Sequence, residues 1–101
     1  MDFSWDPSKR EENWRLRKVD FAEAVGIFDD PDLVEAYDDR IEYGETRLQA
    51  LGSVGGTCYF VAYTWRGHTR HIITAWKLGL EGEKRYRKFL ARRHRGDEDA
   101  G

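Results

Sequence analysis

The sequence predicts an α+β domain with helices packed against an antiparallel sheet. Three observations carry that expectation: two capped, apolar-periodic segments near the start, a set of short apolar or alternating segments between residues 46 and 76 separated by glycine turns, and an amphipathic basic stretch after Trp76. Phe3 and Trp5 alternate with Asp2 and Ser4, which suits a short strand ending at Asp6. Asp6 before Pro7 is a helix start, because the carboxylate accepts an orphan amide and proline pre-sets the first helical position. A first helix is expected over 7–17, with Trp14 as its core anchor. Asp20 caps a second helix in which Phe21, Ala24, Val25 and Phe28 form one stripe, with Glu23 in the reciprocal capping position and Asp29-Asp30-Pro31 as the stop. A strand over 33–37 leads into a polar connection from Asp38 to Gly44. Strands over 46–52, 57–65 and 69–76 then follow, joined by turns at Ser53-Val54-Gly55-Gly56 and Arg66-Gly67-His68. Connections this short imply a three-stranded antiparallel meander, and Cys58 to Tyr63, apolar on both faces, belongs at its centre. Leu78, Leu80, Tyr86, Phe89 and Leu90, set among Lys84, Arg85, Arg87 and Lys88, predict a C-terminal helix despite Gly79 and Gly82.

A chain of 101 residues suffices for one core, so a single domain is expected over 1–95, with the acidic run 96–101 as a frayed tail. The net charge of −2 conceals a split: residues 1–50 carry −7 and residues 51–101 carry +5, and the segment from Arg66 to Arg95 alone carries +8. Such a segment attracts an anion such as RNA phosphate, although a solvated basic helix reads the same way. Cys58 is the sole cysteine and reads as a small core residue. No charged-then-apolar leader opens the chain and no apolar run approaches a membrane span, so a cytoplasmic location is expected.

Beyond periodicity, several short motifs recur in a particular order: Phe3-Ser4-Trp5-Asp6-Pro7-Ser8-Lys9 with Asn13, then Phe21-Ala22-Glu23-Ala24 through Phe28-Asp29-Asp30-Pro31. Tyr43-Gly44-Glu45-Thr46-Arg47, Gly55-Gly56, Tyr63-Thr64-Trp65-Arg66-Gly67, Ile72-Ile73-Thr74-Ala75 and Tyr86 come after them. In order and spacing, over roughly residues 3–88, they resemble the BrnT family of small toxin ribonucleases. The resemblance implies a RelE-like fold, endoribonuclease activity without a metal or other cofactor, and a BrnA-like antitoxin. That antitoxin would neutralise the toxin and, through a DNA-binding domain, repress the shared operon.

Metal-independent RNA cleavage uses the 2′-hydroxyl as nucleophile and needs a proton acceptor, cations at the phosphate oxygens and a proton for the leaving oxygen. Arg47 resembles an arginine that the family places at its active groove, and arginine binds phosphate bidentately. Arg66 in the second hairpin turn is a second phosphate candidate. His71 stands where the family usually has arginine and can exchange a proton near neutrality. Thr74 replaces a family serine. Lys77, Lys84, Arg85, Tyr86 and Trp76 are candidates for RNA binding, Trp76 by stacking on a base. Lys9 reads as a signature of the first helix. Strict alternation sets Arg70, Ile72, Thr74 and Trp76 on one face and His71, Ile73, Ala75 and Lys77 on the other, so these residues share a pocket only if a bulge intervenes.

Two departures from the family pattern bear on catalysis. Leu16-Arg17-Lys18 stands for Lys-His-Gly, and Thr74-Ala75-Trp76 stands for Ser-Ala-Arg, which removes a histidine and an arginine. A binding module that keeps the antitoxin interface without cleavage is therefore one alternative, and a generic basic nucleic-acid binder is another. His68 and His71 have no companion ligands, so no metal site is expected.

Overall fold

A computed structural model describes residues 2–38 and 44–100, with side chains through residue 94. Most of the expected polar connection, including Glu42 and Tyr43, lies outside the described residues. The elements run β1 (Asp2–Trp5), α1 (Pro7–Arg17), α2 (Phe21–Ala24) continuing as a 3-10 turn over Val25–Asp29, β2 (Val34–Asp38), β3 (Arg47–Val54), β4 (Thr57–Arg66), β5 (Thr69–Lys77) and α3 (Leu80–Ala100). They form an α+β fold around one five-stranded sheet of order β1-β5-β4-β3-β2. The meander is β3-β4-β5, with the apolar β4 at the centre as expected. β2 extends it antiparallel to β3, and β1 joins the far edge parallel to β5.

Both hairpins turn in two residues. Gly55 and Gly56 each have positive φ, the pattern of a type I′ turn, and Gly67 alone is positive in the second turn, which suits type II′. The core forms where α2 and its 3-10 extension cover the inner face of the sheet. Val19, Phe21, Ala24, Ile27 and Phe28 meet Leu48, Ala50, Tyr59, Val61, Tyr63, Ile72 and Ala75 there. The expected stripe was Phe21, Ala24, Val25 and Phe28. Tightening to three residues per turn instead brings Phe21, Ala24 and Ile27 into line, and leaves Val25 only partly buried. Asp20 does cap α2 by accepting from Ala22 N at 3.1 Å, but the Glu23 carboxylate accepts from Tyr59 Oη at 2.9 Å and makes no reciprocal cap.

Ile27 approaches β3 so closely that a Cβ on Gly52 would lie 2.8 Å from Ile27 Cβ and 3.2 Å from its carbonyl oxygen. Gly52→Ala is expected to destabilise the protein by about 1–3 kcal/mol through overpacking, read as a lower urea midpoint at unchanged slope.

α1 departs from its expected packing. Trp14 is 52 % exposed and is not the core anchor; the buried residue of the helix is Asn13. The reason lies in the edge that α1 covers. β1 pairs with β5 only over Thr69–Ile72, so the backbone of β5 beyond that point lacks a strand partner on this side. Asn13 supplies one: its Nδ2 donates to Ala75 O and Val19 O, each at 2.9 Å, and its Oδ1 accepts from Ala75 N at 3.4 Å and Thr74 Oγ1 at 3.2 Å. A carboxamide carries a donor and an acceptor side by side, as a peptide unit does.

α3 is anchored by Tyr86, which is buried and whose hydroxyl donates to Asp32 O at 3.4 Å; His94 Nε2 lies 2.9 Å from Asp32 Oδ1. Helical backbone continues through Gly96–Ala100, where composition suggested a tail. Among the described residues, no helix is long and apolar enough to cross a membrane.

Candidate active site

The outer face of the sheet, opposite α2, carries the candidate chemistry because of one irregularity in β5. Ala62 pairs with Thr74 and the next β4 residue, Tyr63, pairs with Ile72, so Ile73 is an extra residue. A bulge of this kind reverses alternation beyond it. Ile72 and Ala75, three apart, are both buried in the core, and His71, Thr74 and Trp76 consequently share the outer face. The same reversal leaves Arg70 and Lys77 on the inner side. Arg70 is held by Phe28 at 4.3 Å, Trp65 at 4.5 Å and Tyr63 at 5.3 Å from the ring centroids, with Glu35 at 3.6 Å. Lys77 lies at the exposed end of β5, away from His71.

Strand register lines up three rows across the outer face. The first reads Ser4 on β1, His71 on β5 and Thr64 on β4, and it reaches Arg47 on β3, the residue preceding the Leu48–Tyr63 pair. Arg66, two residues beyond Thr64, projects from the same side, and Thr64 Oγ1 donates to Thr46 O at 2.5 Å. The second row carries neither a ring nor a charge: Thr74, Ala62, Gln49 and Ala36. The third is apolar: Trp76, Phe60, Leu51 and Val34. The result is a polar, cationic margin and an aromatic margin separated by a strip of uncharged, non-aromatic side chains.

Within the first row, Ser4 Oγ lies 2.9 Å from His71 Nδ1. Burial pushes the His71 imidazolium below its ordinary pKa and nearby Arg66 adds to the effect, against smaller opposing pulls from Glu45 and Asp6. A neutral imidazole at neutral pH is a proton acceptor. Arg47 is partly buried and lies 3.7 Å from Glu45. Thr74 Oγ1 is engaged by Asn13, which makes it a strut between β5 and α1 rather than a free hydroxyl.

Trp76 is stacked with Phe60 from β4, with centroids 4.0 Å apart and rings 17° from parallel. From the α1 side, the Arg17 guanidinium lies 4.7 Å over the Trp76 ring. Trp76 and Arg17 thus pack on each other. Beside them a cleft of ≈ 220 Å³ is lined by Lys9, Glu12, Asn13, Leu16, Arg17, Ile73 and Thr74. Lys9, read from sequence as a helix signature, faces this cleft.

The basic residues of α3 are placed separately. Lys84 is exposed with Glu81 at 4.0 Å, and Arg85 and Tyr86 line an apolar groove with Val34, Leu51, Leu78 and Phe89. Tyr86 is thus a packing residue of α3. Among the described residues, no group of three His, Cys, Asp or Glu side chains is placed to hold a metal ion. Ser4 and Lys9 are what reading the sequence missed. Ser4 alternates with Phe3 and Trp5, so its outward direction was available, but its neighbour is 67 residues away.

The family model described as "Ribonuclease toxin, BrnT, of type II toxin-antitoxin system" matches residues 5–79. No curated protein matches the chain.

Proposed function

The chain belongs to the BrnT family of ribonuclease toxins of type II toxin-antitoxin systems, and from that premise we propose that it is a metal-independent endoribonuclease acting on the outer face of its sheet. The observation that carries this reading is the single row in which His71, Thr64 and Arg47 follow one another across three strands, with Arg66 on the same side. His71 takes the proton of a 2′-hydroxyl and the 2′-oxygen bonds to phosphorus. The bond to the 5′-oxygen then breaks, leaving a 2′,3′-cyclic phosphate, and the departing oxygen takes a proton from water. Arg47 and Arg66 neutralise the non-bridging oxygens as charge builds on them. Ala62 and Ala36 in the second row leave room for the sugar-phosphate chain. A BrnA-like antitoxin with a DNA-binding domain is the partner proposed to block this face and to repress the operon.

Purified protein incubated with RNA should yield 2′,3′-cyclic phosphate ends equally with and without a chelator. RNA left intact in both reactions, at protein concentrations above stoichiometric, overturns the proposal. Binding should weaken steeply with salt, because each phosphate contact releases counterions.

The Phe60–Trp76–Arg17 stack favours a second reading, a module that binds its antitoxin without cleaving RNA, since Trp76 and Arg17 spend their contacts on each other. Expression of the protein alone separates the two: growth arrest supports the enzyme. Unaffected growth together with tight antitoxin binding supports the module.

A further inference from the structure

We infer that Ser4 is a positioning residue for His71: its hydroxyl accepts from Nδ1–H and so holds the ring in the tautomer whose lone pair is on Nε2. The inference deepens the ribonuclease reading and rests on it.

Three observations support it. The Ser4 Oγ to His71 Nδ1 separation of 2.9 Å joins β1 to β5 at a point where the parallel register sets the two residues side by side. Both ends of the contact are therefore held by the sheet rather than by a loop. Second, among the described residues His71 Nε2 has no hydrogen bond, so the serine contact is what distinguishes the two ring nitrogens. Third, the charges facing the ring are unequal. Arg66 projects from β4 and disfavours further positive charge at the imidazole, while Glu45, before β3, and Asp6, after β1, act the other way more weakly. With positive charge disfavoured the ring keeps one lone pair, and the serine oxygen at Nδ1 leaves Nε2 as the nitrogen open to a substrate.

A hydroxyl can donate or accept, so distance alone leaves both tautomers open. The role proposed for His71 breaks that symmetry, because the nitrogen without a protein partner is the one that must carry the lone pair. Functionally, a base needs its lone pair facing the substrate before the reaction and a partner for its other nitrogen throughout. Ser4 meets the second need in both protonation states, because Nδ1 carries a proton in the neutral ring and in the imidazolium alike.

The test is long-range proton–nitrogen correlation NMR on uniformly 15N-labelled protein at a pH above 7, with His71 assigned by the signals lost in His71→Gln. In the native protein, His71 Nδ1 should show the shift of a protonated nitrogen and Nε2 that of an unprotonated one. Ser4→Ala should move both shifts toward the average of the two tautomers, and Ser4→Thr, which keeps the hydroxyl on a strand-compatible side chain, should restore them. RNA cleavage should fall about tenfold in kcat with KM unchanged in Ser4→Ala, as expected for lost orientation of one group, and recover in Ser4→Thr. Nitrogen shifts that stay the same in Ser4→Ala, or that show Nε2 protonated in the native protein, overturn the inference. Altered shifts with undiminished kcat overturn its catalytic half. A native protein that cleaves nothing sinks the ribonuclease reading, and the shifts still decide whether Ser4 sets the tautomer.

Discussion

His71→Gln is expected to lower the rate of RNA cleavage by about 10²–10⁴-fold, the usual contribution of a positioned acid–base group, with little change in RNA affinity. Glutamine keeps a polar side chain of similar reach on β5 but has no nitrogen basic enough to take a proton. Arg47 and Arg66, which supply the electrostatic attraction, remain, so KM should hold while kcat falls. The pH profile gives an independent signature. Burial and Arg66 lower the His71 pKa from its ordinary 6.5, and the reactive form is the neutral one. Activity should be level through neutral pH and fall on acidification, with its midpoint below 6.5. The same depression contributes to stability. The unfolded chain binds this proton more readily, so the contribution is complete above 6.5 and is lost as pH falls through that value toward the folded pKa. In His71→Gln the acid limb of the residual activity should disappear. A variant that retains native kcat removes His71 from the mechanism.

Asn13→Ala should cost about 3 kcal/mol of stability, because it strands buried backbone groups rather than merely deleting contacts. The Ala75 N–H, the Ala75 carbonyl and the Val19 carbonyl all lose partners at once, and Asn13 is among the few polar residues in the buried set. Against a total stability of roughly 5–15 kcal/mol for a domain of this kind, the loss is large. It should appear as a lower urea midpoint. Asn13→Asp should not rescue it, since a carboxylate cannot donate to the two carbonyls. A loss below about 1 kcal/mol would mean that water replaces the amide and that α1 is a weaker seal on β5 than its geometry indicates.

Much of the fold was legible because its signals are local. β3, β4 and β5 are bounded by glycines whose positive φ the turns require, and α1 and α2 begin on aspartates that cap them. The failures share a cause. Trp14 was assigned to the core on the assumption that α1 lies on a sheet face, whereas it seals an edge, and an edge asks for a hydrogen-bonding residue. The side on which Thr74 and Trp76 fall depends on one extra residue at Ile73, and nothing in Thr69–Lys77 marks a bulge there. The four residues expected to carry the chemistry, Arg47, Arg66, His71 and Thr74, fall on one face, but Thr74 is tied to Asn13, and Lys77, expected to bind RNA, lies on the other side. Ser4 was beyond reach because its significance depends on a strand that pairs with it only after the rest of the sheet exists.

That last dependence governs when the protein can act at all. A ribosome makes Ser4 long before His71, and the parallel pairing of β1 with β5 requires the 66 residues between them to have closed upon themselves. Chain closure over such a span is slow, and it comes late. A nascent or truncated copy ending in the turn after β4 carries Arg47 and Arg66 but lacks His71. On the reading proposed here it is harmless to the cell that is making it, and that gives the antitoxin time to arrive before any message is at risk.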